Sequence, residues 1–185
     1  MKNPSKFLLI AVLSAAAAPA LAQSFYGAVD IGQSKASDVC TGTGISGCTD
    51  TSAVFRVAGG YQFVPMMGAE ISYGYYGKQS LGAVGPVSAG DWKASGFELA
   101  GVGTFPLGNG FSLTAKAGIA PTTFQLTGAS RSSTTTNLAW GFGARYDFNR
   151  DVAVRAQYES LGIVGDANTG KTKLTLITVG VIIRY

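Results

Sequence analysis

The stretch K-L-T-L-I-T-V-G-V-I-I-R-Y, residues 173–185, decides the fold. Its side chains alternate between two faces with a period of two residues, which is typical of a β-strand. One face is wholly apolar and ends in an aromatic residue: Ile177, Val179, Val181, Ile183 and Tyr185. A terminal strand leaves an unpaired edge unless it pairs with the first strand. We therefore predict a barrel that the last strand closes against the first.

The N-terminal segment, residues 1–22, has the three-part plan of a secretory signal peptide. Lys2 and Lys6 precede an apolar run, and Ala20-Leu21-Ala22 ends it. We predict a signal peptide over 1–22 and a single domain over 23–185. The formal net charge of +4 includes both lysines of the leader, so the domain is closer to neutral and does not indicate nucleic-acid binding.

The remaining chain has about eight alternating segments, and their connections alternate between long and short. The long connections are polar and cover residues 36–51, 77–91, 127–136 and 161–172. Outer-membrane barrels have short periplasmic turns and long extracellular loops. No later stretch reaches the roughly 18 unbroken apolar residues of a spanning helix. We predict an all-β fold, an eight-stranded antiparallel up-and-down transmembrane β-barrel with short periplasmic turns and long extracellular loops.

The aromatic residues fall into two groups along the predicted strands, as the two membrane interfaces would require. The group at the short-turn end is Phe25, Tyr61, Phe63, Phe105, Phe111, Tyr146, Phe148 and Tyr185, and the group nearer the long loops is Phe55, Tyr75, Trp140 and Tyr158. The alternative is a secreted soluble sandwich or lipocalin-like barrel, in which such aromatics only reflect strand propensity.

The charged residues of the strands fall on the face opposite the aromatic one. They are Asp30, Arg56, Glu70, Glu98, Lys116, Arg145, Arg155, Glu159 and Arg184. Acids and bases are nearly balanced there, which a crowded barrel interior requires and a solvated outer face does not. We predict an interior ion-pair network that plugs the barrel. A catalytic carboxylate pair is the competing interpretation, and the neighbouring bases favour the structural one.

The residue types present exclude several kinds of site. The chain has no histidine, so histidine-dependent hydrolase and acyltransferase chemistry is absent and we predict no enzyme. Two cysteines without histidine cannot form a zinc site, and the carboxylates lack calcium-loop spacing. We expect no metal and no other cofactor. Cys40 and Cys48, the only cysteines, are predicted to form a disulfide in the first long loop, because the leader directs the chain to an oxidising compartment.

Four segments together carry a family resemblance. They are S-F-Y-G-A-V-D-I-G-Q-S from Ser24, P-M-M-G-A-E-I-S-Y from Pro65, G-A-R-Y-D-F-N-R-D-V-A-V-R-A-Q-Y from Gly143 and the final V-G-V-I-I-R-Y. Their order and spacing resemble the transmembrane barrel of the OmpA-like and OmpX-like small outer-membrane proteins. The resemblance implies the cell outer membrane, with membrane lipid, lipopolysaccharide and the barrel-assembly machinery as partners. Tyr185 would be the assembly signal, although phenylalanine is usual there.

The resemblance also carries two departures. The sequence stops with the barrel, so the peptidoglycan-binding domain of full-length members is not expected here. Glu70 and Arg155 match the acidic and basic positions of the family's internal gate. The family's second carboxylate position falls on Arg145 and its lysine position on Val102. A partner-switching gate is therefore not implied, and we predict a fixed plug.

Three functional classes remain open from the sequence: a structural or host-contacting surface barrel, a small channel, and a ligand-carrying barrel. An eight-stranded barrel is only wide enough for its own side chains, and this one places long charged residues inside. We therefore predict the surface barrel, with a small low-conductance, porin-like channel as the alternative. Polar long loops would bind a host or surface ligand for adhesion, and we expect a monomer.

Overall fold

The computed structural model describes residues 24–37, 51–80, 91–127, 131–164 and 172–185. They form eight β-strands: β1 (Ser24–Ser37), β2 (Thr51–Val64), β3 (Met67–Ser80), β4 (Asp91–Gly108), β5 (Phe111–Thr127), β6 (Arg131–Asp147), β7 (Val152–Val164) and β8 (Thr172–Arg184). Neighbouring strands are antiparallel and follow one another in chain order around a closed barrel. The predicted eight-stranded barrel is confirmed. Within the described ranges, no helix is long and apolar enough to cross a membrane.

The barrel closes where the sequence predicts it, between β8 and β1. The register runs from Tyr26 opposite Arg184 to Ser37 opposite Lys173. Beyond the last strand residue, the Tyr185 N–H donates to the Phe25 carbonyl at 3.0 Å. Pairing along the whole length of both strands leaves neither of them with a free edge.

The outer surface carries the apolar face of each strand. On β8, the side chains of Ile177, Val179 and Val181 are exposed, whereas Thr178 between them is buried. Aromatic rings meet across neighbouring strands on this surface. Phe25 and Tyr61 have ring centroids 4.7 Å apart near the short turns, and the Trp140 and Tyr158 rings lie 6.3 Å apart in the middle of β6 and β7. The arrangement in two groups stays a prediction.

The short turns are set by residues that tolerate unusual backbone geometry. Gly108, Asn109 and Gly110 all have positive φ between β4 and β5, a region that glycine and asparagine enter at low cost. Between β6 and β7, the Asn149 side-chain oxygen accepts from the backbone N–H groups of Asp151 and Val152, at 2.9 and 2.7 Å. Such side-chain bonding replaces a backbone turn.

One predicted long loop is wrong. The Ser and Thr content of residues 127–136 predicts a loop there, but β5 continues to Thr127 and β6 begins at Arg131. The Thr123 and Thr134 hydroxyls lie 2.9 Å apart across the two strands. Threonine is β-branched and pairs well across strands, so this polar segment extends the sheet. Likewise, residues 77–80 and 161–164 belong to β3 and β7.

Two further predictions fall outside the described residues. The proposed signal peptide, residues 1–22, precedes the first described residue. Cys40 and Cys48 lie between β1 and β2, in the range 38–50 that is likewise outside. Both remain predictions.

Candidate functional site in the barrel interior

The interior is apolar at the long-loop end. Nine buried residues form this layer, which we name the apolar cap: Ala36, Val54, Tyr76, Ala94, Ala120, Ala139, Leu161, Leu174 and Leu176. The small alanines make room for the ring of Tyr76, which is 1% exposed. This layer was not predicted from the sequence, because the prediction of the interior rested on the charged residues of the inward face.

Below the apolar cap lies a compact group of charged side chains, which we name the central network. Its members are Asp30, Arg56, Glu70, Glu98, Lys116, Arg155 and Glu159. Each is at most 6% exposed. All seven were among the predicted interior charges, and they come from six of the eight strands. The network therefore ties distant parts of the barrel wall together across the lumen.

Arg56 of β2 lies at the centre of this network. Its Nε donates to Asp30 at 3.1 Å and its Nη1 to Glu159 at 2.5 Å. Its Nη2 donates to the side-chain oxygen of Gln157 at 2.8 Å. One guanidinium thus connects β1 and β7 through three separate donors, which its fixed fork geometry allows.

Arg155 of β7 forms the second bridge. Its Nε and Nη2 donate to the two carboxylate oxygens of Asp30, both at 2.7 Å, and its Nη1 donates to Glu70 at 2.6 Å. Asp30 and Arg155 are separated by β8, where Gly180 is opposite both of them. A Cβ at Gly180 would come within 2.1 Å of the Asp30 carboxylate. This glycine therefore leaves the space through which Arg155 reaches β1.

Lys116 of β5 joins the remaining carboxylates. Its Nζ lies 3.0 Å from Glu98 and 2.9 Å from Glu159. The same Glu98 oxygen is 3.6 Å from Arg56. Glu98 and Glu159 therefore share two cations, an arrangement that brings two like charges together and holds them by their common partners.

The central network contains three cations and four carboxylates when all are ionised. One oxygen each of Glu70, Glu98 and Glu159 is buried without a hydrogen-bond partner among the described residues. Removing such charges from water is costly, so the ion pairs offset a penalty rather than add simple stability. Their clearest physical effect is to fill the lumen with side chains that hold one another in place.

The predicted single network is wrong for Arg145 and Arg184. The structure places them nearer the short turns, where both bind Asp147: Arg145 Nη2 lies 3.3 Å from one carboxylate oxygen, and Arg184 forms a short contact with the other. Asp147 was not among the predicted interior charges, although it is the acid that both arginines bind. The strand alternation could have found it, because residues 145 and 147 face the same side.

Uncharged partners were also missed. The Tyr26 hydroxyl donates to Glu70 at 3.0 Å, Gln157 accepts from Arg56, and Ser72 lies 3.5 Å from Glu98. Strand alternation places all of them inward, but nothing in the sequence marked them as partners of particular charges. Within the described ranges, no cluster of three or more acidic, cysteine or histidine side chains could hold a metal ion.

A comparison with known families decides the relationship. The model of the OmpA-like transmembrane domain matches residues 20–185. This chain belongs to the OmpA-like transmembrane domain family.

Other comparisons agree with an OmpA-like barrel. The chain is 28% identical over 137 residues to outer membrane protein A of Klebsiella pneumoniae, covering 69% of this chain and 39% of that protein. It thus spans less than half of the length of that relative. Neisserial surface protein A has the same fold, with a TM-score of 0.62, 15% identity and coverage of 87% of this chain and 97% of that one.

A third comparison is with Ail, the attachment invasion locus protein of Yersinia pestis, solved in complex with the heparin analogue sucrose octasulfate. Its TM-score is 0.53 at 18% identity, and the match covers 88% of this chain and 97% of Ail. At this identity the likeness concerns the fold. The OmpA-like chain is therefore an outer-membrane β-barrel protein, and no enzymatic family is indicated.

Proposed function

We propose that this protein is a surface barrel with a structural or adhesive role and that its interior is a fixed plug. The observation that supports the plug is the stacking of two closed layers, the apolar cap and the central network, across one narrow lumen. Arg56 and Asp30 at the centre of the network are fully buried. A solute could pass only if several mutual ion pairs and the packed cap above them separated together.

The alternative is a small low-conductance channel, and one observation favours it. Beyond the central network, the interior opens towards the short turns through a cavity of about 30 Å³ and then one of about 450 Å³. The smaller cavity has room for about two water molecules. Water would therefore reach the lower side of the central network from the periplasm, and only the network and the apolar cap would separate it from the opposite end.

Conductance in planar bilayers distinguishes these roles. We expect the refolded protein to show no sustained large openings. The double variant Glu70→Gln with Arg155→Gln removes one bridge of the network, and brief additional openings in that variant would support the plug. Sustained openings of the unmodified protein, at the same frequency as in the variant, would establish a channel and contradict the plug.

The surface-interaction part of the proposal places partner binding at the long-loop end. Its support is the fold shared with Ail, whose structure contains a heparin analogue. Cells that display the protein should attach to immobilised heparin or to host-cell monolayers more than cells without it. Replacing residues 38–50 and 81–90 by Gly-Ser segments should abolish that gain at equal surface abundance. Attachment that survives both replacements would argue for a purely structural barrel.

We also propose how the barrel is assembled. A single chain pairs all its strands, so no open edge requires a second copy, and a monomer in membrane lipid and lipopolysaccharide is sufficient. Tyr185, whose side chain is 85% exposed, is proposed as the residue that the barrel-assembly machinery recognises. Tyr185→Phe should insert at least as well as the parent, and Tyr185→Ser should accumulate unfolded in the periplasm. Equal insertion of all three would exclude this role.

A further inference from the structure

A second charged region occupies the open end of the barrel near the short turns. We name the cavity of about 450 Å³ there the short-turn mouth. Three arginines and one carboxylate line it, together with polar and backbone groups: Arg145, Arg150, Arg184, Asp147, Gln62 and Ser112. Asp151 lies in the adjoining turn and is not among the lining residues. The mouth therefore has two more cations than anions in the described structure.

The arginines of the short-turn mouth are held in place by different elements. Arg145 extends from β6, and Arg184 from the end of β8, where its Nη1 donates to the Arg150 carbonyl at 3.1 Å. Asp147 binds both Arg145 and Arg184 and is the common partner that keeps them together. Arg150 belongs to the turn after β6 and is exposed. Two guanidinium groups are thus fixed and a third lies at the rim.

The hydrogen-bonding capacity of these arginines exceeds what the mouth offers them. The Nε of Arg145 is buried and has no partner among the described residues. The same side chain also lines the smaller cavity beneath the central network, where Arg155 is a further cation. Like charges gathered in a partly enclosed space attract an anion, because low-dielectric walls strengthen the field inside.

The chemistry of these donors indicates the class of ligand. Guanidinium groups bind phosphate and carboxylate oxygens through paired N–H donors, and such charge-assisted bonds are the strong ones. The lining arginines extend into the barrel end, so a ligand enters from the aqueous phase rather than from the surrounding lipid. A volume of this size accepts an anion larger than inorganic phosphate.

From these observations we propose that the short-turn mouth is a binding site for a small, soluble, multivalent oxyanion of the phosphate type. Arg145 and Arg184 would bind it from the barrel wall, and Arg150 would close over it from the turn. Asp147 would position the two wall arginines and would at the same time weaken binding by its own charge. This site is independent of whether the barrel conducts, since it lies outside the central network.

Pyrophosphate serves as the probe, measured by equilibrium dialysis with the whole refolded chain in a non-ionic detergent and a phosphate-free buffer. We expect saturable binding of one pyrophosphate per barrel that weakens as salt is added. Arg145→Gln with Arg184→Gln should lower the affinity by about tenfold or more, the factor that loss of charge-assisted hydrogen bonds produces. Lys173→Gln, at the opposite end of the barrel, should leave it unchanged.

Arg150→Gln separates binding from folding. This side chain is exposed and only its backbone carbonyl holds Arg184, so the barrel should form normally while pyrophosphate affinity falls by about threefold, as expected for a rim charge. Absence of saturable binding by the parent would overturn the proposal. The proposal would also be overturned if the three arginine substitutions left the pyrophosphate affinity unchanged, or if Lys173→Gln alone abolished binding.

Discussion

The two charged regions of the interior use the same residue types in opposite ways. In the central network, every cation has at least two carboxylate partners within reach and all members are almost fully buried. In the short-turn mouth, two arginines share Asp147, and the side chains of all three residues are 15 to 24% exposed. Mutual partners make the first region a closed, self-contained unit. The second has spare donors and access to water, which suits it to an external anion.

This difference in burial should appear as a difference in the cost of removing one carboxylate. The largest effect is expected for Asp30→Asn. Both Asp30 oxygens accept from Arg155, and one also accepts from Arg56. An amide supplies only one acceptor and turns its NH₂ group towards a guanidinium, so Arg155 and Arg56 both lose a charged partner and two donors face each other in a buried site.

We expect Asp30→Asn to lower the free energy of unfolding by about 3 to 5 kcal/mol, the usual cost of breaking a buried ion pair. Urea unfolding of the protein from liposomes measures it. Asp147→Asn is the matched control, since it makes the same chemical change in the same barrel at a solvated site. Equal losses for the two variants would show that burial does not distinguish the regions.

The difference between the two regions depends on which side chains face the lumen, and Val179→Arg tests this for β8. Val179 and Gly180 are neighbours in β8, and Val179 is 55% exposed on the outer surface. A charge on the lipid face costs about 2 to 4 kcal/mol near the bilayer midplane. We expect a loss of that size in the same unfolding assay, and a smaller one for Thr178→Gln, which changes an inward position. If Val179→Arg were as stable as the parent, the inward and outward faces of β8 would be the reverse of those described.

Glu70→Gln should cost less than Asp30→Asn although both lie in the central network. Only one Glu70 oxygen accepts hydrogen bonds, from Arg155 and Tyr26. The other has no hydrogen bond among the described residues and lies 3.9 Å from Lys116 Nζ, which also has Glu98 and Glu159 as closer partners. Glutamine can keep its oxygen where Arg155 and Tyr26 donate, and it loses only the long contact with Lys116. Arg155 also keeps both bonds to Asp30. We expect a loss of about 1.5 to 3 kcal/mol, the range for a hydrogen bond to a charged group.

A double-mutant cycle with Arg155→Gln measures the coupling directly. Residues that share a buried ion pair should be non-additive by about 0.5 to 3 kcal/mol. The single variants Glu70→Gln and Lys173→Gln serve as a second, distant pair that should add. Additive losses for Glu70 and Arg155 would mean that the two side chains stabilise the barrel independently and that the plug is not a network.

Strand alternation predicted the barrel and the membership of the central network because the period of two fixes which residues point inward. It could not predict partners, because these depend on the register between strands and on distances across the lumen. Asp30 and Arg155 are far apart in sequence and on strands that do not pair, yet they meet over Gly180. Alternation alone does not indicate such a crossing contact.

The predictions of long loops were wrong in part for a related reason. Composition separates polar from apolar segments, but a β-barrel continues its hydrogen bonding beyond the membrane wherever two polar strands can pair. The strand residues Arg131 to Thr136 pair with β5 although they are almost wholly polar. The apolar cap was missed because the prediction of the interior rested on the charged residues of the inward face. Tyr76, its largest side chain, also lies next to an irregularity in the β3–β4 register between Tyr75 and Lys78.

The smallest effect on stability is expected for Asp147→Asn. Its carboxylate holds Arg145 and Arg184, but water reaches the site and can replace a lost bond. Partly exposed ion pairs contribute little, so we expect a loss below about 1 kcal/mol.

Removing the only lining carboxylate should nevertheless raise the affinity of the short-turn mouth for pyrophosphate, because the three arginines then face no competing charge. Lys173→Gln, at the opposite end of the barrel, should alter neither quantity. A large loss of stability, or a fall in pyrophosphate affinity, would contradict this prediction. It would show that Asp147 holds the arginines in place as Asp30 holds the central network, and that the two regions do not differ in how their charges are stabilised.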